Sequence, residues 1–112
     1  YSPGCKGAYL AYRAFMEKNM PGADLADSNY FTGLHQGVIL ETLLKQCGND
    51  LSRENILKQT RNIKGLALPM SLPGIVVNTS ATNIKRYTQL NLQRWNGKAW
   101  DLVGGLIDDD AK

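Results

Sequence analysis

The side chains that could do chemistry in this sequence are few and scattered. His35 is the single histidine, and the cysteines stand far apart at Cys5 and Cys47. An imidazole base activates a nucleophile only when a serine or thiol lies within hydrogen-bond reach. No GxSxG elbow supplies one here, and neither cysteine has a clear histidine partner in sequence, so His35 reads as a hydrogen-bonded helix residue. Zinc needs more ligands than His35, Cys5 and Cys47 offer at this spacing. Cys5 and Cys47 either bridge in an oxidising compartment or remain thiols with Cys47 in a core, and the second reading is preferred. No glycine-rich phosphate loop is present. Asp108, Asp109 and Asp110 are consecutive carboxylates, which rarely converge on a metal without returning ligands, and they read as a solvated tail. Asn78-Thr79-Ser80 matches a glycosylation triplet, but the same residue types bond local backbone in turns, and the turn reading is preferred. No catalytic residue, metal or cofactor is expected, and no enzymatic activity.

The bulk properties narrow the partners. A chain of 112 residues, 43% hydrophobic and 21% charged, is one globular domain or less. The net charge of +3 is spread thinly. Its densest group, Arg53, Lys58, Arg61 and Lys64, is interrupted by Glu54 and lacks interleaved aromatics to stack bases, so nucleic acid is not an expected partner. No run approaches the ~20 apolar residues of a membrane span.

The elements that must position these side chains follow from periodicity. A helix is predicted over about 8–20, with Leu10, Ala14 and Phe15 as its apolar stripe and Pro21-Gly22 as its stop. A longer helix is predicted over 29–47, with Asp27 or Ser28 as N-cap and Gly48 as C-cap. It carries two stripes on nearly opposite sides: Phe31, Leu34 and Val38, then Leu40, Leu43, Leu44 and Cys47. Such a helix needs apolar neighbours on two sides. A third helix, about 53–63, has Ser52 as N-cap and Leu51 with Ile56 as a hydrophobic staple. A proline-containing crossing segment, 66–83, should hold one short strand at Ile75–Val77. A β-hairpin is expected over about 86–104. A three-residue loop, Trp95 to Gly97, would pair Leu92 with Trp100 and Leu90 with Leu102, which gathers the apolar side chains on one face; a two-residue Asn96-Gly97 loop would not.

Three stretches together resemble one family. "LETLLKQCGNDLSRENILKQTRNI", "LPGIVVNTSATN" and "QLNLQRWNGKAW" are similar, in order and spacing, to the closing part of type I periplasmic substrate-binding proteins of ABC transporters, the class that includes branched-chain amino acid receptors. The resemblance implies an α/β fold of which this chain is the C-terminal third of two lobes joined by a hinge. It implies a non-enzymatic receptor for a small amino acid or an organic or aromatic acid. It also implies closure of the lobes around that solute, an ABC permease in the membrane as partner, and a bacterial periplasmic location. Tyr30 is the one position carried over as a ligand contact, near the start of the long helix, where an N-terminus also suits a carboxylate. The local run "YFTGLHQG" departs from the family's pattern there.

Two further expectations concern the chain as given. It opens on Tyr1 without a methionine and closes on Lys112, so a start set by processing, proteolysis or truncation is expected, with a trypsin-like cut one route to the end. Three helices and a hairpin cannot cover both stripes of the long helix, so the chain by itself is expected to form a homo-oligomer. An independent helical adaptor or protein-interaction domain is the alternative function that the same two-sided helix permits.

Overall fold

The computed structural model describes residues 6–109, and Cys5 and Asp110 lie outside them. The described residues form a small α/β unit: helices α1 (Lys6–Asn19), α2 (Ser28–Cys47) and α3 (Arg53–Thr60), then strands β1 (Leu66–Ala67), β2 (Val76–Val77), β3 (Gln89–Trp95) and β4 (Trp100–Asp108). The strands make two antiparallel ladders, β1 with β2 and β3 with β4.

Local chemistry sets each helix end. Asp27 caps α2 by accepting the Asn29 N–H at 2.9 Å, which satisfies one donor that the helix cannot. At the other end Gly48 takes φ +60° and ψ −128°, a region that side chains disfavour. Ser52 Oγ accepts the Asn55 N–H at 3.3 Å to start α3. The Asn55 amide then donates back to Cys47 O and Asp50 O, tying the end of α2 to the beginning of α3. Leu51, the outer half of the expected staple, stays exposed.

The core lies between α2 and the first ladder. Ile63, Leu68 and Val77 are buried, with Val38, Ile39, Leu66 and Tyr87 packed on them. Leu66 pairs with Val77 and Ala67 with Val76, so the crossing segment holds two short strands where one was expected. Helix α3 stops at Thr60, short of the expected 63, because the chain beyond it is engaged by Thr79. The Thr79 hydroxyl donates to Thr60 O at 2.6 Å and accepts the Ile63 N–H at 2.9 Å, while its own N–H donates to Ile63 O. Asn78 Oδ1 accepts the Gly65 N–H at 2.7 Å. Asn78 and Thr79 therefore join distant segments; only Ser80, which accepts the Asn83 N–H, makes the local turn expected of the triplet.

The apolar stripe expected on α1 is turned outward. Leu10, Ala14 and Phe15 are exposed, and Tyr12 and Met16 are buried instead. Tyr and Met at i, i+4 share a face and bring more reach to a partly open groove than Ala14 could. On α2 the side of Phe31, His35 and Val38 is covered, while on the opposite side Cys47 is buried and Leu40 and Leu44 remain 54% and 42% exposed.

The hairpin differs from expectation in extent and register. It spans 89–108, and its tip pairs Trp95 with Trp100, Arg94 with Asp101, Gln93 with Leu102 and Leu92 with Val103. Neither Leu92 opposite Trp100 nor Leu90 opposite Leu102 is formed. The loop is four residues, closed by the Asn96 N–H donating to Ala99 O. Asn96 Oδ1 accepts the Lys98 and Ala99 amides, and its Nδ2 donates to Asp101. This side-chain capture of backbone outweighs the gathering of apolar residues, which are split between the two faces and left open. Near the base Leu90 pairs with Ile107, so two extra residues are accommodated in β4 around Gly104 at φ +76°. Asp108 is a half-buried strand residue that accepts a hydrogen bond from Gln89 Nε2, and Asp109 pairs with Lys85 at 3.6 Å; neither is a free tail.

The radius of gyration is 16.3 Å, against ~13 Å for a compact chain of this length. The hairpin's exposed side chains include Leu90, Leu92, Trp95, Trp100, Leu102 and Ile107.

Candidate functional site

The polar centre of the molecule is built around His35. Helix α2 carries it one turn beyond Phe31, whose ring stands 4.1 Å from the imidazole centroid. The side chain is only 3% exposed and reaches two other segments. Its Nε2 lies 2.7 Å from Pro69 O, and its Nδ1 lies 2.7 Å from Tyr87 Oη. A carbonyl can only accept, so Nε2 carries the proton and Nδ1 receives the Tyr87 O–H. Burial holds the imidazole below its ordinary value of 6.5; the bond to Pro69 opposes that shift, and the Arg86 charge adds to it.

The surroundings of this bridge are constrained. Met70, directly after Pro69, takes φ +60°, a left-handed conformation that costs a side chain ~1–2 kcal/mol. The His35 bond holds the carbonyl that enters this turn. On the other side Arg86 stacks over the Tyr87 ring at 4.6 Å, and its buried Nη1 has no hydrogen-bond partner among the described residues. With both ring nitrogens engaged, His35 is a structural bridge from α2 to the chain on either side of β2.

Tyr30 lies elsewhere. It is half-buried in the first turns of α2, on an open groove of about 510 Å3 shared with Phe15, Met16, Met20 and Leu34. The walls are mostly apolar, with Asn29 and Glu41 as their polar members, so the groove chiefly offers a surface for aliphatic or aromatic groups. A second groove, about 680 Å3, opens on the other side of the α1–α2 contact, between Tyr12, Val38, Leu68 and Pro69. The structure does not bring Tyr30 and His35 to one site.

Cys47 is buried as a free thiol; a bridge to Cys5 falls outside the described residues. No three His, Cys, Asp or Glu side chains among the described residues gather as metal ligands. No described helix is long and apolar enough to cross a membrane. Comparisons of the chain with protein-family models, curated proteins and solved structures gave no match.

The junction below the hairpin completes the polar architecture. Gln89 Oε1 accepts the Val76 N–H at 3.0 Å, and its Nε2 donates to Asp108 Oδ2 at 2.8 Å. One amide thus links β2 of the first ladder to both strands of the second. The sequence placed Thr79 in a local turn and Tyr87 and Gln89 in the hairpin, but neither pattern announces their distant partners, which only the return of the chain brings near.

Proposed function

We propose that this chain is the C-terminal portion of a type I periplasmic solute-binding receptor of an ABC importer, with the two-lobe fold completed by sequence outside it. The receptor binds a small amino acid or an organic or aromatic acid by lobe closure and presents the closed form to a membrane permease. The observation that carries this reading is the hairpin. A two-stranded sheet is marginal in water, yet β3–β4 is long and exposes large apolar side chains on both faces, from Leu90 and Leu92 to Trp95 and Trp100. Such a hairpin suits a place between further layers of a larger α/β body. The three sequence stretches that resemble the family map onto α2–α3, the β1–β2 crossing and this hairpin. The tie between the ladders at Gln89 is also the kind of connection a hinge region needs, since closure is a change of angle between packed bodies. Tyr30 is retained as a ligand contact within this proposal, on the apolar groove it shares with α1.

An independent helical adaptor is the competing reading, and the open Leu40–Leu44 side of α2 favours it. The test is to determine the reading frame around the gene segment and express its full product. Thermal shifts against amino acids and aromatic acids then follow. A ligand that binds only the native state at about 100 times its dissociation constant adds ~2.7 kcal/mol. A frame long enough for two α/β lobes, with a shift from one ligand class, supports the receptor. A frame beginning near Tyr1, with no shift from any, overturns it.

A further inference from the structure

We propose that the His35 bridge is a pH-responsive latch: with the imidazole neutral it fastens α2 to the segment that leads into the hairpin, and protonation releases that segment. The inference stands on the chain's own geometry and holds whichever functional reading is correct.

The bridge has an unequal response to a proton. The Nε2–H bond to Pro69 O survives protonation, since a carbonyl accepts from either form. The bond at Nδ1 does not survive as it stands. In the neutral ring Nδ1 accepts the Tyr87 O–H at 2.7 Å; in the cation Nδ1 is itself a donor. Tyr87 would have to turn its own proton away, and among the described residues no hydrogen bond from Tyr87 to another acceptor is present. The side that opens is therefore the Tyr87 side.

The environment gives the cation nothing in return. His35 is only 3% exposed, and a buried charge without a counter-ion is costly. Around the ring, α2 contributes Phe31, the turn after β1 contributes Pro69, and the segment before β3 contributes Tyr87 and Arg86. Among these only Tyr87 and Arg86 are ionisable, and Arg86 is the charge that acts on His35. It is a like charge for a protonated imidazole. Among the described residues its Nη1 lacks a hydrogen-bond partner, and no ion pair there involves Arg86.

The pH window follows from the direction of the shift. The folded imidazole titrates below 6.5, so its contribution to stability is complete above pH 6.5 and is lost as pH falls through the folded value. His35 is the chain's single histidine, and carboxylates ordinarily titrate lower. A change between pH 7 and pH 5 therefore reports on this side chain.

The test is an NMR titration of the full chain, following the His35 ring from pH 8 to pH 4.5 together with amide exchange corrected for its intrinsic pH dependence. Three results are expected. The ring is the Nε2–H tautomer at pH 7.5 and titrates below 6.5. Tyr87→Phe, which removes the donor to Nδ1, moves the midpoint upward. On acidification the Asp109 amide, bonded to Thr88 O beside Tyr87, loses protection several-fold while the Ile56 amide in α3 keeps it. A midpoint at or above 6.5, the other tautomer, an unmoved midpoint in Tyr87→Phe, or equal loss at Asp109 and Ile56 would each overturn the latch. His35→Gln adds a check that does not depend on the ring: the selective loss at Asp109 should vanish, and its persistence would also overturn the proposal. If that variant does not fold, the wild-type titration decides.

Discussion

Replacing Thr79 with valine keeps the shape of a buried side chain and removes one oxygen. That oxygen has two partners, the Thr60 carbonyl and the Ile63 amide. Ile63 is 2% exposed, so its N–H would be left unpaired at a cost of ~1–3 kcal/mol, and the lost bond to Thr60 O adds ~0.5–1.5 kcal/mol. The expected loss is about 2–4 kcal/mol. A small domain's whole margin is ~5–15 kcal/mol. Thr79→Ser keeps the hydroxyl and removes only a buried methyl, worth ~0.8 kcal/mol in transfer terms. Urea unfolding at one fixed protein concentration measures both, with the denaturant slope compared between variants so that a midpoint shift can be read as stability. Serine milder than valine is the expected order. Valine equal to wild type, or milder than serine, would refute the view that Thr79 holds the end of α3 to the chain just after β2 through its oxygen.

Gly48→Ala should cost ~1–3 kcal/mol by backbone strain alone, since a methyl there meets no atom within 4 Å; thermal or urea unfolding checks it. Trp95→Ala should weaken the hairpin by ~0.5–1.5 kcal/mol, because the Trp95 and Trp100 rings pair across its tip at 5.5 Å, and near-UV circular dichroism should lose the coupled indole signal. The 112-residue chain is expected to sediment as a homo-oligomer at micromolar concentration, and Leu40→Glu with Leu44→Glu should shift it toward monomer without unfolding it. Calorimetry on the same chain should find no micromolar binding of amino acids or aromatic acids, since its grooves are open and one-sided.

The helices were legible because their signals are local. Asp27, Ser52 and Gly48 sit where capping chemistry requires them, within a few residues of the groups they satisfy. Which face of α1 is buried was not legible: Leu10 and Phe15 promise burial by type, yet what lies against them depends on α2 and the turn at Pro69. The hairpin shows two local cues in conflict. Its apolar alternation favoured one register, whereas the Asn96 side chain captures the Lys98 and Ala99 amides and sets a longer loop. Local hydrogen bonds prevailed because burial could not reward the other register in a hairpin left so exposed. His35 was read as a bonded helix residue, and it is one. Its partners, Pro69 and Tyr87, lie 34 and 52 residues away, beyond the range of any pattern.

The irregularity in β4 constrains how this segment can change length. From Leu92 opposite Val103 to Leu90 opposite Ile107, the longer strand gains two positions on the shorter one. An even gain leaves every side chain below it on its original side of the sheet. Removing Gly104 and Gly105 together would thus return Ile107 to Leu90 and Asp108 to Gln89 without inversion. Deleting either glycine alone leaves one extra residue, which turns Leu106, Ile107 and Asp108 over unless a one-residue bulge absorbs it; the paired deletion is the length change that keeps the amide of Gln89 on its carboxylate without a bulge.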